Sequence, residues 1–420
     1  MTLTTDTDVT ASATASATAS AAASVAASPA FTPLVSDFYR MESELTDQEK
    51  ALLMRLRHYL ETEVKPIVND HWARAEFPMF VVKGLADLGI FALQYPETRP
   101  FENSAVFRGW IAYELARIDS SIATLVGMQQ GLVMGAIHVA GSDAQKAEWL
   151  PKFSRGELLG CFALTEPLSG SDSARGLRTT ATREGAEWVL NGAKRWIGNG
   201  TIATHAIIWA KSTEDGQVKG FIVPTSTPGY TATKIENKQA LRIVQNADIV
   251  LEGVRVPESN RLQKSESFRD TAAVLRLTRA EVAWAAVGNS AGAYEASLKY
   301  TGEREQFGQT IDNSQLIQEL LAKQIANITA SIALCTRVSE MLDQGTQRDE
   351  HSALAKEFAT SRMRETVAWA RESMGGNGIV LENDVIRHFA DAEALYSYEG
   401  TREMNTLIVG RALTGKAAFV

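Results

Sequence analysis

The sequence predicts an α+β protein of several domains: helices first, then a small antiparallel β domain, then a bundle of long helices. Three observations carry this. The chain has 420 residues, more than one compact core usually organises. Apolar residues recur at helical spacing near both ends: Leu52, Leu53, Leu56, Leu60 and Val64 in one stretch, and Leu321, Ile325, Ile328, Ile332, Cys335, Val338 and Leu342 in the other, closed by Gly345. Between Gly160 and Pro257 the pattern shortens to β-rich runs broken by turn residues, such as Trp188-Val-Leu, Ala206-Ile-Ile-Trp-Ala, Gly220-Phe-Ile-Val and Ala247-Asp-Ile-Val-Leu. The expected limits are a disordered low-complexity tail over 1–35, a helical domain over 36–160, the β domain over 161–266 and the helical bundle over 267–420.

The tail is rich in Ala, Ser and Thr, lacks a basic start and carries Asp6 and Asp8, which argues against secretory and transit peptides. No uninterrupted apolar stretch of about 20 residues stands out, and the Lys416–Val420 end is not a peroxisomal address. The composition, 45% hydrophobic and 22% charged, is that of an ordinary globular protein. A net charge of -8 spread along the chain offers no basic stripe for nucleic acid. The two cysteines, Cys161 and Cys335, and the six scattered histidines form no metal-ligand spacing, so no metal is expected. A reducing cytoplasm is the expected setting.

Candidate sites emerge by elimination. Gly198-Asn-Gly200-Thr-Ile-Ala203 satisfies a loose dinucleotide pattern, but the strand-like Ala206-Ile-Ile-Trp-Ala follows where a helix is needed to hold the pyrophosphate. Leu168-Ser-Gly-Ser-Asp172 lacks the flanking glycine spacing of a serine hydrolase. Phe162-Ala-Leu-Thr165-Glu-Pro-Leu-Ser-Gly170-Ser171-Asp172 runs from a strand into a polar turn that can aim backbone N–H groups at an anion or a polar ring edge; a plain surface loop is the alternative. Glu399, in Tyr398-Glu-Gly-Thr401, sits just before a helix that Thr401 is placed to cap. A carboxylate there serves either as a helix-dipole partner or as a base.

Taken together, Cys161-Phe-Ala-Leu-Thr-Glu-Pro, Lys194-Arg-Trp-Ile-Gly-Asn, Arg304-Glu-Gln-Phe-Gly, Gln315-Leu-Ile-Gln, Met374-Gly-Gly-Asn-Gly-Ile and Tyr398-Glu-Gly-Thr resemble the acyl-CoA dehydrogenase superfamily, from about Ser36 to the C-terminus. The finer resemblance is to the group of glutaryl-CoA dehydrogenases and plant peroxisomal short-chain acyl-CoA oxidases. It rests on Glu399 to Gly415 and on Ala232 to Asp248. The resemblance implies a helical, β, four-helix-bundle architecture, FAD as cofactor, an acyl-CoA substrate and a homotetramer. It also implies a place in fatty acid metabolism, with electrons leaving to an electron-transferring flavoprotein or to oxygen.

By the same resemblance, Glu399 is the base that removes the α-proton. Phe162, Leu164, Thr165 and Ser171 line the flavin and pyrophosphate, with Trp196, Ile197 and Gly198 behind the ring. Arg304, Phe307, Gln315, Glu372, Gly375 and Gly376 contact the adenosine half, often on a neighbouring subunit, while Thr401 and Glu403 hold the pyrophosphate. Ser171, Arg279 and Gly400 contact the acyl-CoA. Two positions depart from the pattern. Gly198 stands where many dehydrogenases place a Thr that hydrogen-bonds flavin N5, which admits oxygen as acceptor. Ala123 stands where glutaryl-CoA enzymes place the Arg that holds the distal carboxylate, so glutaryl-CoA is expected to be a poor substrate.

Overall fold

The computed structural model describes residues 31–417; the expected tail over 1–30 lies outside them. Residues 31–35 are tied to the domain that follows, since the Thr32 carbonyl accepts from Arg57 Nη1 at 2.6 Å and the Leu34 N–H donates to Glu42 Oε1 at 2.7 Å. Seven α-helices then form the first domain: α1 (Asp47–Tyr59), α2 (Lys65–Arg74), α3 (Phe80–Asp87), α4 (Ala105–Ile118), α5 (Ser120–Val126), α6 (Gly135–Ala140) and α7 (Asp143–Ser154). Capping boxes start α1 at Thr46 with Glu49 and α7 at Ser142 with Gln145. All five of Leu52, Leu53, Leu56, Leu60 and Val64 are buried, as their spacing predicts.

Between α5 and α6 the helix runs on through a π-helical stretch, Gly127–Met134. The whole of Ser120–Ala140 is long and apolar enough to cross a membrane, which corrects the expectation that no such stretch exists. Of its most apolar window, 72% is buried inside the protein. Its hydrophobicity is that of a helix surrounded by protein on all sides. Glycines hidden among the apolar residues are what allow that enclosure.

The middle domain is a seven-stranded sheet of β1 (Gly160–Ala163), β2 (Thr180–Glu184), β3 (Glu187–Ile197), β4 (His205–Ser212), β5 (Val218–Pro224), β6 (Tyr230–Lys234) and β7 (Ala247–Pro257), with a short helix α8 (Ser173–Gly176) between β1 and β2. Most pairings are antiparallel, but β4 carries β1 and then β2 along one edge in parallel. The expected antiparallel domain thus also carries two parallel pairings. Alternation marks a strand without giving its partner's direction, and the β2–β3 hairpin supplies the long crossover that a parallel β1–β4 pair needs. Both faces are covered: Ile207 and Trp209 of β4 join the core beneath the helices, while Ala206, Ile208 and Ala210 join a second core on the other face.

One ion pair pins the first turn of this domain. Lys194, fully buried on β3, donates to the carbonyls of Leu164 and Trp209 at 3.1 and 2.7 Å and to Glu166 Oε1 at 2.9 Å. Glu166 also accepts from the N–H groups of Arg178 and Thr179. Burial pushes the Lys194 ammonium down to about 8, against the pull of Glu166. Lys194→Met leaves that carboxylate buried without its cation, and should lower stability by about 3 kcal/mol, read as a lower urea midpoint for the variant.

The last domain contains α9 (Phe268–Glu303), the two-residue strands β8 (Glu305–Gln306) and β9 (Gln309–Thr310), α10 (Gln315–Asp343), α11 (Asp349–Ser373), α12 (Val385–Ser397) and α13 (Arg402–Thr414). Helices α9, α10 and α11 pack together, with α12 and α13 against α11. One apolar core runs from the N-terminal helices into this bundle. Asp119 fastens the joint: it caps α5 through the N–H groups of Ser121 and Ile122 and pairs with the buried Arg387 of α12 at 2.9 Å.

Candidate active site

The three domains meet around the π-helical stretch, where Gly127, Gly131 and Gly135 recur every four residues and face α9. A Cβ on Gly131 would come within 2.6 Å of the Thr278 methyl, and one on Gly135 within 2.8 Å of Tyr95 Oη. Only glycine allows this approach. On the opposite side, Met128 reaches the middle domain, and Gln129 Oε1 accepts from the Gly160 N–H at 2.9 Å.

Glu399 lies where α12 ends and α13 begins. It takes a left-handed backbone conformation, φ 51°, followed by Gly400 at φ 88°. A non-glycine residue adopts that geometry at a cost and only when its surroundings enforce it. The enforcing groups are identifiable. The fully buried Lys356 of α11 donates to the carbonyls of Tyr398 and Gly400, on either side of Glu399. Asn405 Nδ2 donates to the carbonyls of Gly400 and Thr401 at 2.9 and 3.0 Å. Thr401 caps α13 by accepting from the Met404 N–H at 3.3 Å, as its position predicts.

The Glu399 carboxylate points at α9, where Thr278 Oγ1 donates to its Oε2 at 2.5 Å. Burial pushes this carboxyl above the usual range, while Thr278, Lys356 and Arg279 act in the opposite direction. Desolvation likewise pushes Lys356 down to about 7, opposed by Glu399. Arg279 carries a buried Nε without a hydrogen-bond partner. A cleft of about 560 Å³, lined by residues including Arg276, Leu277, Ala280, Arg348 and Asp349, opens between α9, α10 and the start of α11. A carboxyl held above its usual pKa by burial, with a hydroxyl on it, has the properties of a general base.

The middle domain brings a flat aromatic surface to the same junction. The β3–β7 pairing slips between Lys194 and Ile197, and the bulge leaves Trp196 at φ 62° with 53% of its surface exposed. The Arg195 N–H donates to the Thr165 carbonyl at 2.9 Å, tying this bulge to the end of β1. Phe162, Leu164 and Ile197 are buried, and Ser171 is exposed in the turn beyond. At Gly198 a Cβ would stand 2.2 Å from Met128 Sδ. The thioether therefore fills the space a Thr side chain would need. A half-bare indole beside a backbone without Cβ, with a helix N-terminus at Thr401 for an anion, fits a flavin ring and its pyrophosphate.

A second group of the expected residues lies elsewhere. Arg304, Phe307 and Gln315 sit at the far end of α9, with Glu372 in the last turn of α11 and Gly375 and Gly376 just after it, and Asn377 Nδ2 donates to Tyr300 Oη at 2.7 Å across them. From Thr278 to Arg304 the helix runs roughly 40 Å at 1.5 Å per residue. One chain does not bring the two groups together. Phe307 is fully exposed at φ 54°, near the exposed Leu316 and Ile379. Glu403 is exposed on the first turn of α13. Sequence reasoning missed Lys356, Thr278 and the carboxyl of Glu281; Thr278 alone had a signal, through its neighbour Arg279.

Family models for the N-terminal, middle and C-terminal domains of acyl-CoA dehydrogenase match residues 46–157, 161–254 and 268–414. The protein is thus an oxidoreductase that uses FAD. It belongs to the acyl-CoA dehydrogenase family.

The mitochondrial short-chain specific acyl-CoA dehydrogenase of Mus musculus is 32% identical over 375 residues, covering 87% of this chain and 90% of that one. The glutaryl-CoA dehydrogenase of Mycobacterium smegmatis superposes with a TM-score of 0.88 at 36% identity, over 93% of this chain and 100% of the other. A structure of that enzyme holds FADH2. The butyryl-CoA dehydrogenase of Megasphaera elsdenii gives 0.84 at 28% identity, over 88% and 98%.

Proposed function

We propose that the protein oxidises the Cα–Cβ bond of a short or branched acyl-CoA to the trans-2-enoyl thioester, with Glu399 as the base. The observation that carries this is a half-buried carboxylate on a strained backbone, held by Thr278 and by a lysine-clamped loop at the junction of the three domains. The thioester α-proton is a weak acid, so its removal needs a carboxylate positioned within reach and hydrogen-bond donors for the carbonyl oxygen. Glu399 takes the α-proton, and its backbone N–H is the donor this chain would offer to that oxygen. FAD, when bound, accepts the hydride from the β-carbon. Trp196 and the turn from Thr165 to Ser171 hold the ring, and the start of α13 at Thr401 and Glu403 holds the pyrophosphate.

Arg279, whose buried Nε has no hydrogen-bond partner among the described residues, is the proposed contact of the acyl-CoA on α9. Arg304, Phe307, Gln315, Glu372, Gly375 and Gly376 act on the adenosine half of a cofactor seated mainly in a second copy, which makes the working enzyme an oligomer. The distance along α9 and the bare Phe307 support this. Electrons leave to an electron-transferring flavoprotein. A second reading, in which oxygen takes them, is favoured by Gly198, where Met128 fills the space of a side-chain donor.

Anaerobic mixing of purified enzyme with acyl-CoAs, followed by oxygen, tests these readings. Butyryl-CoA should bleach the flavin, and slow peroxide formation afterwards marks the dehydrogenase while fast formation marks the oxidase. Glutaryl-CoA should bleach it at least about 10²-fold more slowly, because Ala123 offers no cation to a buried carboxylate. Equal rates for the two thioesters would overturn the expected exclusion of glutaryl-CoA.

A further inference from the structure

Resting on the acyl-CoA reading, we propose that Glu281 and Gln130 form a subsite for a hydrogen-bond donor, a hydroxyl or an ammonium, carried by the acyl chain beyond its β-carbon. Glu281 lies three residues after Thr278 on α9, so the two side chains share a face one turn apart. Since Thr278 holds Glu399, the second carboxyl stands close enough to the proposed base to feel its charge. It is surrounded by protein yet still reached by solvent, as is Glu399.

The surroundings leave Glu281 short of partners. Its one hydrogen bond among the described residues comes from Gln130 Nε2 at a long 3.5 Å. Gln130 is itself buried, and its Oε1 has no partner. The facing glycines put bare backbone against the carboxyl: a Cβ on Gly131 would lie 3.3 Å from Glu281 Oε2, and one on Gly127 3.7 Å from Oε1. Burial and the nearby Glu399 push this carboxyl up to about 7, with Gln130 and the more distant Arg108 opposing. Tyr95, beside the same glycines, has its hydroxyl on the Gly131 carbonyl and gives Glu281 no proton.

A buried acceptor without a donor, Gln130 Oε1, beside a carboxyl with one long hydrogen bond is costly in apolar surroundings. A donor on the substrate removes the cost. The same carboxyl repels a distal carboxylate, so Glu281 and the missing cation at Ala123 select in one direction. The residue acts on specificity, since nothing places it at the reacting carbons.

The test uses the FAD-loaded Glu399→Gln protein, in which binding is separated from turnover, and calorimetric titration with 4-hydroxybutyryl-CoA, 4-aminobutyryl-CoA, butyryl-CoA and pentanoyl-CoA. The better of the two donor-bearing ligands should bind at least about tenfold more tightly than pentanoyl-CoA, the methyl-bearing match in length. Adding Glu281→Val should reverse that order, and Glu281→Gln should weaken only the ammonium ligand. Binding of butyryl-CoA with no preference for either donor, or a preference that survives Glu281→Val, overturns the subsite and leaves the acyl-CoA reading intact. Failure of every acyl-CoA to bind overturns both. Bleaching by butyryl-CoA in the Glu399→Gln protein itself overturns Glu399 as base and does not bear on the preference.

Discussion

Glu399→Gln should purify with FAD in place and lose flavin reduction by butyryl-CoA by about 10³-fold or more, the range a positioned general base contributes. The amide keeps the size of the side chain and can still accept from Thr278 Oγ1, so the loop at φ 51° has no new reason to move. What disappears is basicity. In the native enzyme the rate should fall as the pH drops through the Glu399 pKa, because only the ionised form accepts the α-proton. Burial raises that pKa in the folded protein, so the acid limb should lie above the ordinary carboxylate value. Stopped-flow bleaching across pH checks both statements, and a variant that bleaches at the native rate would move the base elsewhere.

Lys356→Met should have the next largest effect. Its ammonium donates to the two carbonyls flanking Glu399; when it is removed the Tyr398 carbonyl is left unpaired, at about 1–3 kcal/mol, while the Gly400 carbonyl keeps only Asn405 Nδ2. Turnover should drop sharply because the strained turn loses its clamp. A purely structural role would stop there. The lysine also opposes the desolvation of Glu399, so its loss raises the carboxyl's pKa further and should move the acid limb of the residual activity to higher pH. Unchanged pH dependence in the surviving activity would reduce Lys356 to a packing role. Lys356→Arg should keep part of the effect, since it retains the charge but not the compact ammonium.

Much of the architecture was legible because the local patterns agreed with the global fold. Leu52 to Val64 and Ile328 to Val338 repeat at helical spacing and are buried on one face. Thr401 precedes an apolar run and caps α13. Trp188, Ala206, Gly220 and Ala247 begin or lie in strands, as their β-rich runs indicate. The parallel edges of β4 were not legible, because strand direction depends on which segments meet after the β2–β3 hairpin folds over. The Ser120–Ala140 helix was misread because its glycines and glutamines break an apolar count while still packing inside.

For the site, the resemblance carried Glu399, Arg279 and the flavin turn, whereas the bare residues left Glu399 between a dipole partner and a base. Lys356 sits in an unremarkable Ala-Leu-Ala-Lys-Glu stretch of α11 and Glu281 in a mixed stretch of α9, with nothing local to mark either as a neighbour of Glu399.

By itself the sequence determined the order of helices, strands and helices, the cap at Thr401 and the absence of a side chain at Gly198, since each depends on residues within a few positions of one another. Only the tertiary structure decided what Gly198 means, because the Met128 thioether that fills its space comes from another domain. The same holds for Glu399, which Lys356, 43 positions earlier, and Thr278, 121 positions earlier, turn from an acidic residue before a helix into a strained and desolvated carboxylate. Desolvation and strain are properties of what surrounds a group, and those surroundings exist only once distant segments have packed.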